Sequence, residues 1–417
     1  MREDIKKYAD SAYGMVSDVS ESIGSRLPGS EGEKKFATLM EENIKKVGLE
    51  PTTEKFIVAP RASIGGIPYI GWAGIVACLM LYFEQLSFLS FAICVACWVF
   101  LVVQVVLYKG WFDHLFPQKM SQNVYTELLP KDGKYNYTIM LSAHMDTSWN
   151  WVMSATNPKT MVLKMVYGVV GMLFTTAASL TMFIMWVMNL NGAFVYPVDI
   201  NNYQYFLIAM KILPALMIPG IYFVTRWCVK NEGIASPGAM DNLTGIAINY
   251  EILKYFKENP DKMPANCRIM NMNFGCEEAG LKGSIAFLKK HKGEDILKNL
   301  YAINVDSIAD KDFFEVVVGD SWQGTRFDKG LEQMFMESMK DAGIEKPGNI
   351  KNPVGGCDST PLHRAGVRTI TFAAQNPMAT EYYHTYKDTA DRFEASTVQT
   401  GMEVILGVID RISSENK

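Results

Sequence analysis

The sequence predicts an α/β protein whose soluble domain is interrupted by about four membrane-spanning helices. In the second half of the chain, segments with strand patterning alternate with amphipathic helical segments. Such alternation is typical of a mixed, mostly parallel sheet covered by helices on both faces, a three-layer α/β/α architecture. Two hydrophobic blocks, at residues 61–108 and 161–227, break into this pattern. We therefore expect one soluble domain assembled from three separate stretches of chain.

The soluble elements follow from periodicity and from the turn residues that bound them. The opening helix ends near Ser22, and a second helix over residues 31–47 is stopped by Gly48. Alternating residues predict a strand at 52–58 and two strands, 123–128 and 137–143, joined through a Lys-Asp-Gly-Lys turn. The predicted elements that follow are helix 244–257, strand 268–274, helix 283–291, strands 300–305 and 313–318, helix 326–342, strand 369–373 and helix 395–413.

The hydrophobic blocks are long enough to cross a lipid bilayer. A span needs about 20 apolar residues, and four stretches meet that length: 64–83, 88–108, 165–190 and 205–227. The connections at 84–87 and 191–204 contain no Lys or Arg, whereas the other ends of the spans are basic. Because positive residues near span ends prefer the cytoplasm, we expect a multi-pass integral membrane protein with a cytoplasmic soluble domain.

The charge and cysteine content of the chain indicate which kinds of binding partner to expect. The 417 residues carry a formal net charge of −4, so no basic surface is expected and nucleic acid is excluded as a partner. The seven cysteines are scattered and indicate reduced thiols rather than a disulfide framework. The amino terminus lacks the apolar core of a secretory signal. The lipid bilayer is the expected partner, and the sequence leaves the oligomeric state open.

Residue types that bind divalent metals are concentrated in five short segments, each at a turn after an apolar run. They lie at 143–146 (AHMD), 238–242 (GAMDN), 276–280 (CEEAG), 305–307 (VDS) and 383–385 (YHT). Two histidines and three or four carboxylates are the ligands that two neighbouring zinc ions require. Taken alone, the Glu277–Glu278 pair would more often be a solvated helix start. The five segments together indicate a metal-dependent hydrolase.

These segments resemble a known family, the co-catalytic zinc exopeptidases of clan MH, which include aminopeptidase Y, glutamate carboxypeptidase and, more distantly, glutaminyl cyclase. The resemblance covers residues 1–60 and 120–417, apart from the second hydrophobic block. It rests on four motifs in the family's order: GSRLPGS at 24–30, HMD at 144–146, GAMDN at 238–242 and EEAGLKGS at 277–284. The hydrophobic insertion between His144 and Asp241 is a departure from the family's pattern.

The resemblance implies a role for each candidate ligand. Asp241 would bridge two zinc ions, with His144 and Asp306 completing one site and Glu278 and His384 the other. A metal-bridging water would be the nucleophile. Glu277 would act as the general base that takes its proton and delivers it to the leaving amine. Manganese or cobalt could occupy the same nitrogen and oxygen ligands.

Two further residues are candidate contributors to catalysis. Asp146 can accept the imidazole N–H of His144 and so fix the ring, although a turn-forming aspartate is the alternative. Tyr383 resembles the family position that steadies the tetrahedral oxyanion, and a half-buried structural aromatic is the alternative. The GGCDS segment at 355–359 resembles the family's loop near the substrate pocket, without a specific role for Asp358.

The prediction is a membrane-anchored di-zinc aminopeptidase, or a related exopeptidase, that hydrolyses short peptides. Carboxypeptidase, N-acyl amino acid hydrolase and glutaminyl cyclase activities remain alternatives, as does a non-catalytic membrane receptor or scaffold. The predicted metallopeptidase domain comprises residues 1–60, 109–160 and 228–417, with transmembrane hairpins at 61–108 and 161–227. Residues 229–237, which lie between the last predicted span and Asp241, can extend only about 30 Å. We therefore expect the metal site to lie near the membrane surface and the substrates to be close to the membrane.

Overall fold

The computed structural model describes residues 3–190, 200–226, 234–379 and 381–416. The chain divides into two compact units. The first unit comprises Met1–Pro60, Asp113–Asn150 and Asn231–Lys417, and the second comprises Arg61–Phe112 and Trp151–Lys230. The first unit contains the candidate metal ligands, and the second contains the apolar helices.

An eight-stranded mixed sheet forms the centre of the first unit. Its strands are β1 (Thr52–Val58), β2 (Lys119–Leu128), β3 (Tyr137–His144), β4 (Cys267–Phe274), β5 (Leu300–Ile308), β6 (Phe314–Asp320), β7 (Gly348–Asn352) and β8 (Arg368–Ala374). Their spatial order is β1-β2-β4-β3-β5-β8-β6-β7. The pairs β4/β3, β3/β5, β5/β8 and β6/β7 are parallel, and the other three are antiparallel. The carboxyl ends of β3, β4 and β5 therefore meet at one edge.

Helices cover both faces of this sheet. In the first unit they are α1 (Lys6–Ser22), α2 (Glu31–Lys46), α8 (Thr244–Glu258), α9 (Lys282–Lys290), α10 (Lys329–Asp341), α11 (Ser359–Arg364) and α12 (Ala395–Glu415). On β3, Ile139 and Leu141 join the apolar core that includes residues of α1, α8 and α12. Met140, between them, joins a second core with Phe287 of α9. Because successive strand residues point to opposite faces, these two cores give a three-layer α/β/α arrangement.

The sequence-based elements agree with this fold at most positions, and the predicted α/β architecture is confirmed. Two elements of the first unit, as far as the structure describes it, were absent from the prediction. The edge strand β7 has little alternation, with Ile350 as its one apolar residue, and the six-residue helix α11 is too short for a helical period to show. Strand β2 also begins four residues earlier than predicted, at the charged and exposed Lys119.

The second unit consists of apolar helices: α3 (Ile67–Met80), α4 (Ser87–Phe100, continued by a π-helix over Leu101–Val106), α5 (Val152–Thr156), α6 (Pro158–Leu190) and α7 (Ile200–Thr225). Among the described residues, three stretches are long and apolar enough to cross a membrane: Glu84–Val106, Pro158–Met188 and Gln204–Thr225. The predicted first span is the 14-residue helix α3. At 1.5 Å per residue it is about 21 Å long, shorter than a hydrocarbon core of about 30 Å. The number of four spans stays a prediction.

Glycines allow close contact between α6 and α7. A Cβ added to Gly220 would lie 2.7 Å from the carbonyl oxygen of Tyr167, and one added to Gly168 would lie 2.6 Å from a methyl group of Val224. Any larger side chain at either position would push the two backbones apart. Small residues at crossings are typical of helix pairs that pack within lipid.

Candidate metal centre

The predicted ligands come together where strands end and helices begin. His144 is the last residue of β3, Asp306 lies near the end of β5, and Glu278 lies four residues beyond the end of β4. Asp241 precedes α8, and His384 lies in the segment between β8 and α12. Carboxyl ends of neighbouring parallel strands are the usual place for sites in α/β sheets, and three of the five ligands follow that rule.

The five ligands form two groups that share one carboxylate. In the first group, His144 Nε2 lies 3.1 Å from Asp241 Oδ1 and 3.8 Å from Asp306 Oδ1. In the second, His384 Nε2 lies 3.0 Å from Asp241 Oδ2 and 3.0 Å from Glu278 Oε1. The two oxygens of Asp241 thus belong to different groups, and within each group all ligand atoms lie within 4.8 Å of one another.

The spacing and chemistry of these atoms fit zinc. Zinc bonds of about 2.0–2.1 Å in a tetrahedron place neighbouring ligand atoms about 3.3 Å apart, and the four distances above fall on either side of that value. Each group offers one imidazole nitrogen and two carboxylate oxygens, which is three protein ligands. Three protein ligands with one open position is the usual pattern of a catalytic zinc site.

Asp146 holds the loop that carries the two glutamates. Its carboxylate accepts the backbone N–H groups of Glu277 at 2.9 Å and of Glu278 at 3.0 Å. The ring nitrogen Nδ1 of His144 lies 3.1 Å from the main-chain carbonyl oxygen of Asp146 and 3.6 Å from its carboxylate. The nearer acceptor for the imidazole is thus the main-chain carbonyl of Asp146, with the predicted partner, its carboxylate, slightly farther away.

Arg26 connects two ligand loops from a fully buried position. Its guanidinium donates to the carbonyl oxygens of Met145 (2.8 Å), Pro237 (2.7 Å) and Gly238 (3.0 Å), as well as to Gly24 within its own loop. Met145 follows His144, and Gly238 lies three residues before Asp241. Arg26 therefore fixes the position of His144 relative to Asp241. Burial lowers the pKa of Arg26 to about 10, against the opposing effect of nearby carboxylates, so it remains a cation at neutral pH.

Asp388 makes the corresponding connection between the loops of Asp241 and His384. Its carboxylate accepts the backbone N–H groups of Met240 at 2.8 Å and of Asp241 at 3.1 Å. Its main-chain carbonyl oxygen accepts the backbone N–H of Ala239. Asp388 is buried and follows His384 by four residues. It therefore fixes the backbone that carries the shared carboxylate of Asp241. The sequence alone did not indicate this role.

Glu33 links the amino-terminal loop to the segment of the paired glutamates. It accepts the backbone N–H of Gly29 (2.8 Å), the hydroxyl of Ser121 (2.9 Å) and the backbone N–H of Cys276 (2.9 Å). Burial, reinforced by the nearby Asp146 carboxylate, raises the pKa of Glu33 to about 8. The N-terminal motif is thus tied to the residue that immediately precedes Glu277.

The site concentrates negative charge. Burial raises the pKa of Glu277 well above its usual 4.5, with His144 opposing and Glu278 reinforcing the shift. Burial alone would lower the pKa of His384, yet Glu278 and Asp241 raise it to about 10. The cluster therefore favours positive charge in its centre, either as protons on the imidazoles or as bound cations. Glu277, although largely enclosed, keeps part of its surface exposed, as does the ligand Asp306, whereas the other four ligands are buried. Glu277 and Asp306 therefore mark the open side of the site.

Tyr383 stacks on one of the ligands. Its ring lies 3.7 Å from that of His384, with 23° between the two planes. Burial and the carboxylates of Asp241 and Glu278 raise the pKa of Tyr383 well above its usual 10. The phenol therefore keeps its proton and is a hydrogen-bond donor beside the ligands, as the predicted oxyanion role requires.

Left-handed backbone conformations flank the ligands. Cys276, Ser307 and His384 have φ values of 55°, 61° and 55°, which non-glycine residues rarely adopt. Such residues cluster at functional sites because the surrounding structure must hold them. Here Glu33 accepts the backbone N–H of Cys276, and the side-chain oxygen of Asn242 accepts the backbone N–H of Ser307. The Asp241–Asn242 peptide bond is cis.

Comparison with known proteins extends the resemblance. Residues 225–409 match the model of Peptidase family M28. This part of the chain is similar to that family. The M28 match includes four of the five candidate ligands and Glu277, and it lies beyond most of the hydrophobic insertions. The predicted resemblance to the zinc exopeptidases is confirmed.

The chain is also similar to individual proteins. Aminopeptidase YwaD of Bacillus subtilis is 27% identical over 194 residues, which is 44% of this chain and 39% of that protein's length. Among solved structures, BSAP, a zinc aminopeptidase from Bacillus subtilis, is similar with a TM-score of 0.56 and 16% identity, covering 97% of this chain and 95% of that one. A glutaminyl cyclase of an Acidobacteriales bacterium has a TM-score of 0.56 and 14% identity, covering 98% and 95%. These structures show a shared fold.

The M28 match and the shared fold support the prediction of a zinc metallopeptidase. Of the histidines outside the ligand segments, His291 lies between Glu54 and Glu294, at 2.8 Å and 2.6 Å. It has the ordinary structural role expected of a histidine outside the ligand motifs.

Proposed function

We propose that this chain is a membrane-anchored aminopeptidase that uses two zinc ions to hydrolyse the amino-terminal peptide bond of short peptides. The observation that carries the proposal is the pair of ligand groups that share Asp241, each with one imidazole and two carboxylates. A glutaminyl cyclase acting at one zinc ion would need only one such group. The paired groups therefore favour the hydrolase.

In this proposal each protein group has a distinct task. His144, Asp241 and Asp306 hold one ion, and Asp241, Glu278 and His384 hold the other. Bound zinc supplies Lewis acidity that polarises a carbonyl group and lowers the pKa of water. The positions of the ligand loops are fixed by hydrogen bonds to their backbone from the side chains of Asp146, Arg26 and Asp388.

Glu277 carries the proton during the reaction. Its carboxylate takes a proton from the attacking water as the water oxygen bonds to the scissile carbonyl carbon. The same carboxyl group then donates that proton to the amine nitrogen as the C–N bond breaks. The Tyr383 hydroxyl donates a hydrogen bond to the carbonyl oxygen, on which negative charge develops.

The apolar helices would anchor the enzyme in a bilayer. The basic residues beside the spans, among them Arg61, Lys109 and Lys159, favour a cytoplasmic catalytic unit under the positive-inside rule. The substrates would then be short cytoplasmic peptides near the membrane, and no role for nucleic acid is proposed.

The test is a hydrolysis assay with the purified full-length chain in detergent. Fluorogenic substrates with a free α-amine are compared with the same substrates acetylated at that amine, with and without a chelator. We expect chelator-sensitive cleavage of the free-amine substrates only. Replacing Glu277→Gln should lower kcat by about 10²–10⁴-fold, the usual contribution of a general base. The matched control is Glu42→Gln, an exposed position on α2.

Each other outcome would assign a different activity, or none, to the chain. Cleavage of the acetylated substrates, or cleavage from the carboxyl end, would replace the aminopeptidase by a carboxypeptidase or an N-acyl amino acid hydrolase. Ammonia release from peptides with an amino-terminal glutamine, without hydrolysis, would indicate a glutaminyl cyclase. Bound metal without any reaction would favour the receptor or scaffold.

A further inference from the structure

Three apolar side chains are exposed at one end of the β1–β2 pair. Ile57 and Met120 face each other across the two antiparallel strands, and they are 66% and 55% exposed. Leu115, in the turn just before β2, is 66% exposed. Single exposed apolar residues are common on any protein. Ile57 and Met120 are paired on the two outermost strands of the sheet, and Leu115 lies four residues before β2 begins.

Their place along the chain indicates what covers them. Leu115 follows the apolar stretch Glu84–Val106 by nine residues, which extend at most about 31 Å. Ile57 precedes the apolar helix α3 by ten residues, or at most about 34 Å. Both connections between this strand pair and the apolar helices therefore leave from the same end of the pair. If Glu84–Val106 crosses a bilayer, the three side chains lie within reach of its headgroups.

Neighbouring residues have the chemistry of a membrane interface. Trp111, in the connection that leads to β2, is 65% exposed, and tryptophan is enriched where hydrocarbon meets headgroups. Lys55 and Lys119 are exposed on the two strands. Lysine beside apolar side chains is suited to anionic lipid headgroups at the cytoplasmic surface.

We propose that Ile57, Leu115 and Met120 form a membrane seat, a surface of the catalytic unit that inserts shallowly into the headgroup layer of the bilayer. The inference rests on the proposed membrane anchoring and goes beyond it, because the seat would fix the orientation of the catalytic unit on the lipid surface. The occupant is the bilayer itself, since the connections on both strands continue directly into the apolar helices.

Spin-label accessibility in nanodiscs of phosphatidylcholine and phosphatidylserine tests the seat on the full-length chain. The six described native cysteines are buried, and Cys228, which lies outside the described residues, is replaced by serine. Labels are placed at Ile57→Cys, Leu115→Cys and Met120→Cys. The aqueous control is Leu129→Cys, 45% exposed and just beyond the opposite end of β2. The lipid control is Val95→Cys, 39% exposed on α4.

The measured quantity is the ratio of collision rates with oxygen, which concentrates in lipid, and with a water-soluble nickel chelate. We expect a severalfold higher ratio at the three seat positions than at position 129, approaching the ratio at position 95. Seat positions that match position 129, with position 95 in lipid, would overturn the seat and leave the anchoring intact. A water-like ratio at position 95 would overturn the anchoring as well. Dipolar broadening between labels at position 57 of two chains would assign this surface to a second copy and overturn the seat.

Discussion

The carboxylate of Asp146 accepts the backbone N–H of Glu277 at 2.9 Å. The same carboxylate accepts the N–H of Glu278 at 3.0 Å, so one side chain fixes both the proposed general base and a metal ligand. Asp146 itself lies two residues after His144, on the loop that leaves β3. The distance between the two ligand segments is therefore set by one buried aspartate.

Replacing Asp146→Asn should impair the site without unfolding the protein. The amide offers one oxygen acceptor and presents an NH₂ group to the second backbone N–H, so one of the two hydrogen bonds is lost. Mutation of groups that orient metal ligands typically costs about 10–100-fold in metal affinity or activity. Zinc titration and kcat measured on the same preparation check this. The control, Asp132→Asn, alters an exposed turn aspartate that also accepts a backbone N–H. Equal effects of both variants would contradict the assigned role.

Arg26 is the second residue on which the ligand loops depend. Lysine at this position would keep the charge but lose the planar fork that reaches Met145, Pro237 and Gly238. We expect Arg26→Lys to lower the free energy of unfolding by about 2–3 kcal/mol, since buried carbonyl groups lose charged donors. Denaturant unfolding of the full chain in detergent measures the loss. Arg326→Lys is the control, because Arg326 donates to the carbonyl oxygen of Val318 from a half-exposed position. An Arg26→Lys variant as stable as this control would show that the loops do not need the guanidinium.

The candidate ligands could be picked out from the sequence, whereas the residues that hold their loops could not. His144 and Glu278 were singled out because metal-binding residue types follow apolar strands and because their segments resemble family motifs, and both signals are local in sequence. The contacts of Arg26 and Asp388 join backbone groups that are 119 to 212 residues apart, so no periodicity or spacing shows them. The available signal for Arg26 was a charged residue within the Gly-, Ser- and Pro-rich loop at 24–30.

The same limit applies to the apolar helices. Hydropathy predicted a first span over residues 64–83, but the helix occupies only Ile67–Met80 and is preceded by a short 3₁₀ turn over Ile64–Gly66. Composition measures how apolar a stretch is. Where the helix starts and stops depends on its local turns. Strand β7 shows the converse, since pairing with β6 forms a strand from residues with little apolar pattern.

Loss of a single ligand should separate the two metal groups. Asp306 belongs to the first group only and His384 to the second only. We expect Asp306→Ala and His384→Ala each to bind about one zinc ion where the parent chain binds about two, because three protein ligands define each site. Elemental analysis of protein equilibrated with zinc gives the stoichiometry. His363→Ala, outside both groups, should leave it unchanged. A parent chain that binds one ion would remove the basis for the paired site.

Glu315 should make stability fall as pH rises. It lies on β6 between Ala373 of β8 and Gly348 of β7, and burial raises its pKa from 4.5 to about 7. Below pH 4.5 the carboxyl group is neutral in both the folded and the unfolded chain. Between pH 4.5 and about 7 the unfolded chain ionises first, so the folded state progressively loses stability, and above pH 7 the full penalty applies.

Glu315→Gln should therefore stabilise the protein at pH 8, by on the order of 1 kcal/mol once solvent screening is allowed for. The difference should be small near pH 4.5 and vanish at lower pH. The check is to measure the unfolding midpoints of the parent chain and of Glu315→Gln at both pH values, with the exposed Glu345→Gln as control. A pH-independent gain would mean that glutamine improves packing and that the charge of Glu315 is not the cause.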